Sequence, residues 1–215
     1  MSEAGRAPIH PDDPDFRRLA EEGRVVAYFG YGSLVNRDTL RTRFLAIRRA
    51  SVAGWQRFWL PRLEVGIALL SVRAEPDAAI DGVVVYDLAD NLAAVDEREA
   101  GYRRRTVLPQ TLSVEAPPPF DLPVYIYEAI RPDETAAERH SSILQSYLDA
   151  VMQGFLAVHG EAGLRRFVAD TQGFETTLIP DRSAPRYPRA VVPQTGETEL
   201  FDRLLRERGV RFPTG

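Results

Sequence analysis

The sequence predicts one α+β domain, and three observations carry that prediction. Short apolar stretches rich in Val, Ile, Trp and Phe dominate the chain up to about residue 130, separated by Pro, Asp and Gly. Helical periodicity becomes strong only from about residue 141. Strands first and helices later do not make the regular βαβ alternation of a doubly wound sheet. A length of 215 residues with 44% hydrophobic side chains suits a single substantial core. We therefore read 1–23 as a polar leader and 24–215 as the domain.

The elements follow in order. VVAYFG, residues 25–30, is apolar throughout, of strand length and ends in glycine, so it reads as a fully buried strand. Asn36 suits the N-cap of a short helix, RDTLRTRFLA, with Asp38 in the first turn where negative charge meets exposed amides. From Ile47 to about Leu88, RRASVAGWQRFWLP, VGIALLSVR and AAIDGVVVYDL read as short strands of a meander or barrel. NLAAVDEREA is a helix of about two turns, capped by Asp90 or Asn91 and stopped at Gly101. YRRRTVLPQTLSV reads as a further strand, APPPFD as a connector and LPVYIYEAI as a strong strand.

Ser141 or Ser142 then caps a helix in which Leu144, Tyr147, Leu148, Val151, Met152 and Phe155 share one face. Gly154 interrupts that face and Gly160 ends the helix. EAGLRRFVAD is a second helix, TTLIPDRSAPRYPRAVVP an extended Pro-rich segment, and ELFDRLLRER a terminal amphipathic helix; the middle segment, with Arg186, Tyr187 and Arg189, reads as a strap packed on the surface, with a lid offering arginines to a substrate carboxylate as the alternative. No internal repeat or low-complexity tract is evident.

Composition excludes much chemistry. The chain has no cysteine, which removes disulfides, thiolate nucleophiles, iron–sulfur ligation and cysteine zinc sites. All 27 Lys+Arg residues are arginine, so a P-loop lysine and a Schiff-base lysine are absent too. His10, His140 and His159 are scattered, the last two at opposite ends of one predicted helix, roughly 28 Å apart at about 1.5 Å per residue. No metal or cofactor is expected. A net charge of −4 does not favour nucleic acid, and the Arg103–Arg105 cluster is read as local. No apolar run approaches the roughly 18 residues of a membrane span, and the polar, acidic start is unlike a signal peptide, so a cytoplasmic location is expected.

Two stretches carry candidate chemistry. In YFGYGSL, residues 28–34, a strand runs straight into two glycines and a serine. As a dinucleotide fingerprint it lacks the third glycine, and as a nucleophile elbow its spacing is wrong. The glycines permit either a tight turn with positive φ or a close backbone approach to a ligand, with the amides of Gly32, Ser33 and Leu34 facing a carboxylate or oxyanion. In VDEREAGYRRRTV, Asp96 and Glu99 lie three apart on one helix face, while Glu97 points elsewhere. A charged solvated helix is one reading. A carboxylate turned into an apolar pocket, where it serves as a general acid or base, is the other.

YFGYGSL, the strand-rich middle with DAAIDGVVVYDL, and D-x-x-E-x-G-Y from Asp96 to Tyr102 together resemble the γ-glutamylcyclotransferase-like superfamily, with its ChaC-type and γ-glutamylamine-type enzymes. The likeness covers roughly 25–155, and Ser146-Tyr147 followed by Gly154 resembles the family's Ser/Tyr helix. Beyond the likeness lies the C-terminal helical extension with its Pro-rich strap, 156–215; the likeness itself implies a compact mixed β-barrel with flanking helices. It further implies Glu99 as catalytic general acid/base, the turn Tyr31, Gly32, Ser33 and Leu34 as holder of the γ-glutamyl group, and Tyr102 and Tyr147 as pocket walls. The implied activity converts a γ-glutamyl amino acid, peptide or amine to 5-oxoproline and a free amine, without cofactor, in a monomer or homodimer. A non-catalytic binder of the same fold and a γ-glutamyl hydrolase or acyltransferase are the alternatives. Val35 and Asn36 replace the tryptophan usual in ChaC-type enzymes, which weakens the case for glutathione, and Leu34 stands where the typical turn has Asn.

Overall fold

The computed structural model describes residues 9–62, 65–99, 101–130 and 134–212. A six-residue helix α1 (Phe16–Glu21) places Phe16 and Leu19 in the core before strand β1 (Val25–Gly30), all of whose residues are buried. After two single 3-10 turns (Ser33–Val35 and Arg37–Thr39), β2 (Phe44–Arg62) and β3 (Ile67–Leu88) form a long hairpin. Helix α2 (Leu92–Arg98), β4 (Tyr102–Thr106), β5 (Leu112–Val114) and β6 (Val124–Ala129) follow. The short β7 (Ser142–Leu144) leads into α3 (Gln145–Asp170), then β8 (Leu178–Ile179) and α4 (Glu197–Glu207).

The strands make one mixed sheet in the order β4-β6-β1-β3-β2-β5, with β7 attached to β3 and β8 to β7. The α+β class stands, but the expected barrel does not: the sheet stays open between β4 and β5. Its chemistry explains why. β4 carries Arg103, Arg104 and Arg105, all exposed, and a charged edge strand resists the further pairing that closure needs. These arginines are local, as expected: Arg103 and Arg105 pair with Glu128 at 2.9 and 3.1 Å, and Arg104 with Asp96 at 2.6 Å.

Other elements depart from the sequence reading for identifiable reasons. The three apolar stretches of 47–88 form two long strands, because the polar segment around Glu75–Ala78 is only an excursion. Ala53 pairs with Ala79 and Trp55 with Ala74, leaving 75–78 unmatched opposite Gly54, whose φ is +84°. YRRRTVLPQTLSV is not one strand; Pro109 begins a 3-10 turn, and its two halves pair with β6 and with β2 at opposite ends of the sheet. The helix expected after Asn36 is one 3-10 turn: Asn36 Oδ1 accepts the capping bond from Asp38 N at 3.0 Å, but the β-branched and aromatic residues beyond join β2. Helix α3 begins at Gln145 without a side-chain cap, so His140 lies before it and not at its end. Gly160, at φ +69°, breaks α3 into the two helices anticipated. No described helix is long and apolar enough to cross a membrane.

Helix α3 touches the turn after β1 at Gly154. A Cβ there would lie 2.5 Å from Asn36 N and 2.8 Å from Asn36 Cα, backbone that cannot swing aside. Gly154→Ala gains about 1 kcal/mol of helix propensity but overpacks this contact at a cost of about 1–3 kcal/mol. The net expectation is a lower melting temperature, by about 2–4 °C per kcal/mol for a chain of this size. Thermal unfolding of this variant at unchanged or raised temperature would show that the helix and turn are not in such contact.

Candidate active site

Where β1 ends, the chain turns away from the sheet through Tyr31 and Gly32 into the 3-10 turn Ser33–Val35. Neither Gly30 nor Gly32 has a positive φ, so the tight-turn reading of these glycines is corrected. Space is what they supply. A Cβ on Gly30 would sit 2.7 Å from Leu34 Cβ, and one on Gly32 3.2 Å from Tyr147 Oη. Val35 N donates to Gly32 O and Asn36 N to Ser33 O, each at 3.0 Å, while Thr39 Oγ1 donates to Ser33 O at 2.7 Å. The turn's carbonyls thus face the protein. The amides leading into such a turn have no acceptor within it.

Glu99 occupies the C-cap of α2, its N–H donating to Val95 O and its carbonyl accepting from Tyr102 N, both at 2.9 Å. At φ −91° and ψ 24° it has left the helix, so its side chain does not share a helix face with Asp96 as the spacing suggested. Gly101, at φ +93°, reverses the chain in a conformation that a side chain would strain. That reversal sets Tyr102 beside Glu99. Asp96 instead accepts from Tyr127 Oη and Arg104 Nη1, both at 2.6 Å, and Glu97 is exposed. Of the three acids, Glu99 alone lines a cleft with the turn.

That cleft, of about 140 Å³, is lined by every residue that the resemblance assigned to the site: Tyr31, Gly32, Ser33, Leu34, Glu99, Tyr102 and Tyr147. Tyr31 Oη donates to Tyr127 O at 2.6 Å and Tyr102 Oη to Leu70 O at 3.1 Å. The Tyr147 ring packs edge-on against Trp59 and Tyr187, at 5.8 and 4.9 Å between centroids. The Arg62 guanidinium lies over the Tyr102 ring at 4.9 Å.

Burial, reinforced by neighbouring tyrosines and by the Glu99 charge, holds the Tyr31 and Tyr147 hydroxyls well above the usual tyrosine range. For Tyr102, burial outweighs the nearby Arg62 cation and pushes the hydroxyl up to about 12. All three therefore act as neutral donors near pH 7.

Arg62 and Tyr127, which the sequence reading missed, also line the cleft, and so do Tyr187 and Arg189. Tyr127 sits on β6 and Arg62 at the end of β2, ordinary strand positions with no local signal. Tyr187 and Arg189 lie in SAPRYPRA, for which the sequence favours a strap packed on the surface over a lid offering arginines to a substrate carboxylate; its middle reaches the cleft. No group of His, Asp or Glu side chains suited to hold a metal occurs among the described residues.

Residues 28–146, more than half of the chain, match the family described as gamma-glutamyl cyclotransferase, AIG2-like, and the chain belongs to that family. Among solved structures, an uncharacterized protein from Homo sapiens superposes with a TM-score of 0.50 at 14% identity, over 83% of this chain and 99% of that one. A structure named gamma-glutamyl cyclotransferase gives 0.47 at 15% identity, over 83% and 99%. A gamma-glutamyl cyclotransferase specific to glutathione from yeast gives 0.40 at 16% identity, over 67% and 86%. No curated protein matches the sequence.

The raised tyrosines have a consequence for alkaline stability. A hydroxyl whose folded pKa exceeds its unfolded value, here about 12 against 10.0 for Tyr102, favours the folded state below pH 10, and this contribution is lost as pH rises through 12. Unfolding free energy should therefore decline between these values, and less steeply in Tyr102→Phe. Identical slopes for the two proteins, measured by denaturant titration at several pH values, would contradict the assignment.

Proposed function

We propose that this chain is a γ-glutamyl cyclotransferase in which Glu99 carries the proton transfers. One observation supports this above the rest: the Glu99 carboxylate and the Tyr31–Leu34 turn share one tyrosine-walled cleft. The chain has no cysteine and no lysine, and this reaction requires neither.

A γ-glutamyl compound brings its own nucleophile. Its α-amine attacks the γ-carbonyl, the new C–N bond closes a five-membered ring, the old C–N bond breaks, and 5-oxoproline and an amine result. Glu99 accepts a proton from the α-ammonium and returns one to the departing nitrogen. The substrate must lie folded, with both ends held; in well-oriented cases such positioning is worth about 7–11 kcal/mol. Backbone amides of the turn stabilise the developing oxyanion, a contribution of about 3–4 kcal/mol where donors are well aimed. Neutral tyrosine hydroxyls and ring faces exclude water and favour ring closure over hydrolysis.

The test is 5-oxoproline release from a panel of γ-glutamyl amino acids, γ-glutamyl amines and glutathione. Glu99→Gln, nearly isosteric, should lower turnover by about 10²–10⁴-fold while the protein melts normally. Release of glutamate in place of 5-oxoproline would make the chain a hydrolase. Full turnover in the variant, or silence from folded wild type across the panel, would overturn the reading.

A further inference from the structure

Charge in the cleft is sparse. Among the described residues, its lining carries one carboxylate, Glu99, and two guanidinium groups, Arg62 and Arg189. They come from different walls. Arg62 lies over Tyr102, beside the Gly101 reversal that presents Glu99, since a Cβ on Gly101 would meet Arg62 Nη1 at 2.9 Å. Arg189 comes from the strap, more than 40 residues beyond the matched family region that ends at 146. It is half-buried and has no ion pair among the described residues.

The strap around Arg189 is held on both sides. Tyr187 N donates to Ser146 Oγ at 3.2 Å, and its ring packs on Tyr147. Arg41 Nη2 donates to Pro188 O at 2.7 Å, and Ala190 N to Tyr187 O at 3.1 Å. With the backbone on both sides of it held in this way, Arg189 lines the cleft with no ion pair among the described residues, and an arginine so placed is a ready receptor for a carboxylate.

We infer that Arg189 receives a carboxylate on the leaving group, so that the substrate class is γ-glutamyl amino acids or peptides and not simple γ-glutamyl amines. The inference rests on the cyclotransferase reading for the identity of the glutamyl half. In that half, the α-carboxylate is one carbon from the α-amine that Glu99 must reach, which assigns it to Arg62 on the Glu99 wall. The leaving group extends from the other side of the scissile carbonyl, toward the strap. Among the described residues, the two arginines of the lining then answer the two carboxylates of the substrate. A simple γ-glutamyl amine would leave Arg189 facing no anion.

γ-Glutamylalanine and γ-glutamylethylamine differ only in that carboxylate, and titration calorimetry on Glu99→Gln protein, where turnover is suppressed, reads the preference directly. Binding of γ-glutamylalanine should be tighter by about tenfold or more, as a charge-assisted hydrogen bond allows. The ratio should collapse toward one on adding Arg189→Ala and recover partly with Arg189→Lys. A ratio unchanged by Arg189→Ala, a preference for the ethylamide, or no binding of either compound would overturn the inference. Wild-type turnover of the same pair is scored separately: an intact binding preference without 5-oxoproline would retire the cyclisation reading and leave the carboxylate receptor standing.

Discussion

The contact between helix α3 and the turn that follows β1 organises the rest of the site. Gly154 has no side chain, and Asn36 fills that space, donating from Nδ2 to Ala150 O at 2.9 Å and to Gln153 Oε1 at 3.1 Å. Two buried segments are locked at backbone distance by a missing Cβ on one side and a bifurcated amide on the other. Because α3 is rigid, the contact also determines where Tyr147, two turns earlier, meets Gly32. The glycines of the turn answer the same requirement from the opposite side. Each marks a place where chain passes too close to a neighbour for a β-carbon.

The cleft so formed is lined largely by tyrosines, and this has an electrostatic consequence. Their hydroxyls are turned toward carbonyls, Tyr31 to Tyr127 O and Tyr102 to Leu70 O, so that burial is compensated by hydrogen bonding in the neutral form. The Glu99 charge adds to their reluctance to ionise. Among the described residues, the charged side chains lining the cleft are Glu99, Arg62 and Arg189, in surroundings of low polarity where each interaction counts for more than in water.

Polar groups tie the strap to the rest of the domain. Arg182 bridges Asp149 and Asp202 at 2.7 and 3.0 Å, and Asp181 accepts from Ser146 Oγ at 2.6 Å and from Arg186 N at 2.9 Å. Asp149 is almost wholly buried, and its burial raises the carboxyl pKa despite the opposing Arg182 cation. Such pairs contribute little net stability once desolvation is counted. Their value lies in direction: they hold a Pro-rich segment against the cleft, where the Tyr187 ring packs on Tyr147.

The sequence by itself determined the α+β class, the buried first strand, the late helices with their break at Gly160, and the seven residues that meet in the cleft. Each of these rests on local chemistry or on a motif: apolar run length, helical spacing, glycine placement, and the order of YGSL and D-x-x-E. Tertiary structure decided the rest. Whether YRRRTVLPQTLSV was one strand or two depended on distant pairing partners, and whether the sheet closed depended on which strand presented its arginines at an edge. That Glu99 and Asp96 do not share a face was decided by the C-cap geometry of Glu99, which the three-residue spacing did not convey. Tyr187 and Arg189 reach the cleft on a strap tied through Arg182 to Asp149 and through Asp181 to Ser146, 33 and 35 residues earlier, a long-range constraint that no local pattern specifies.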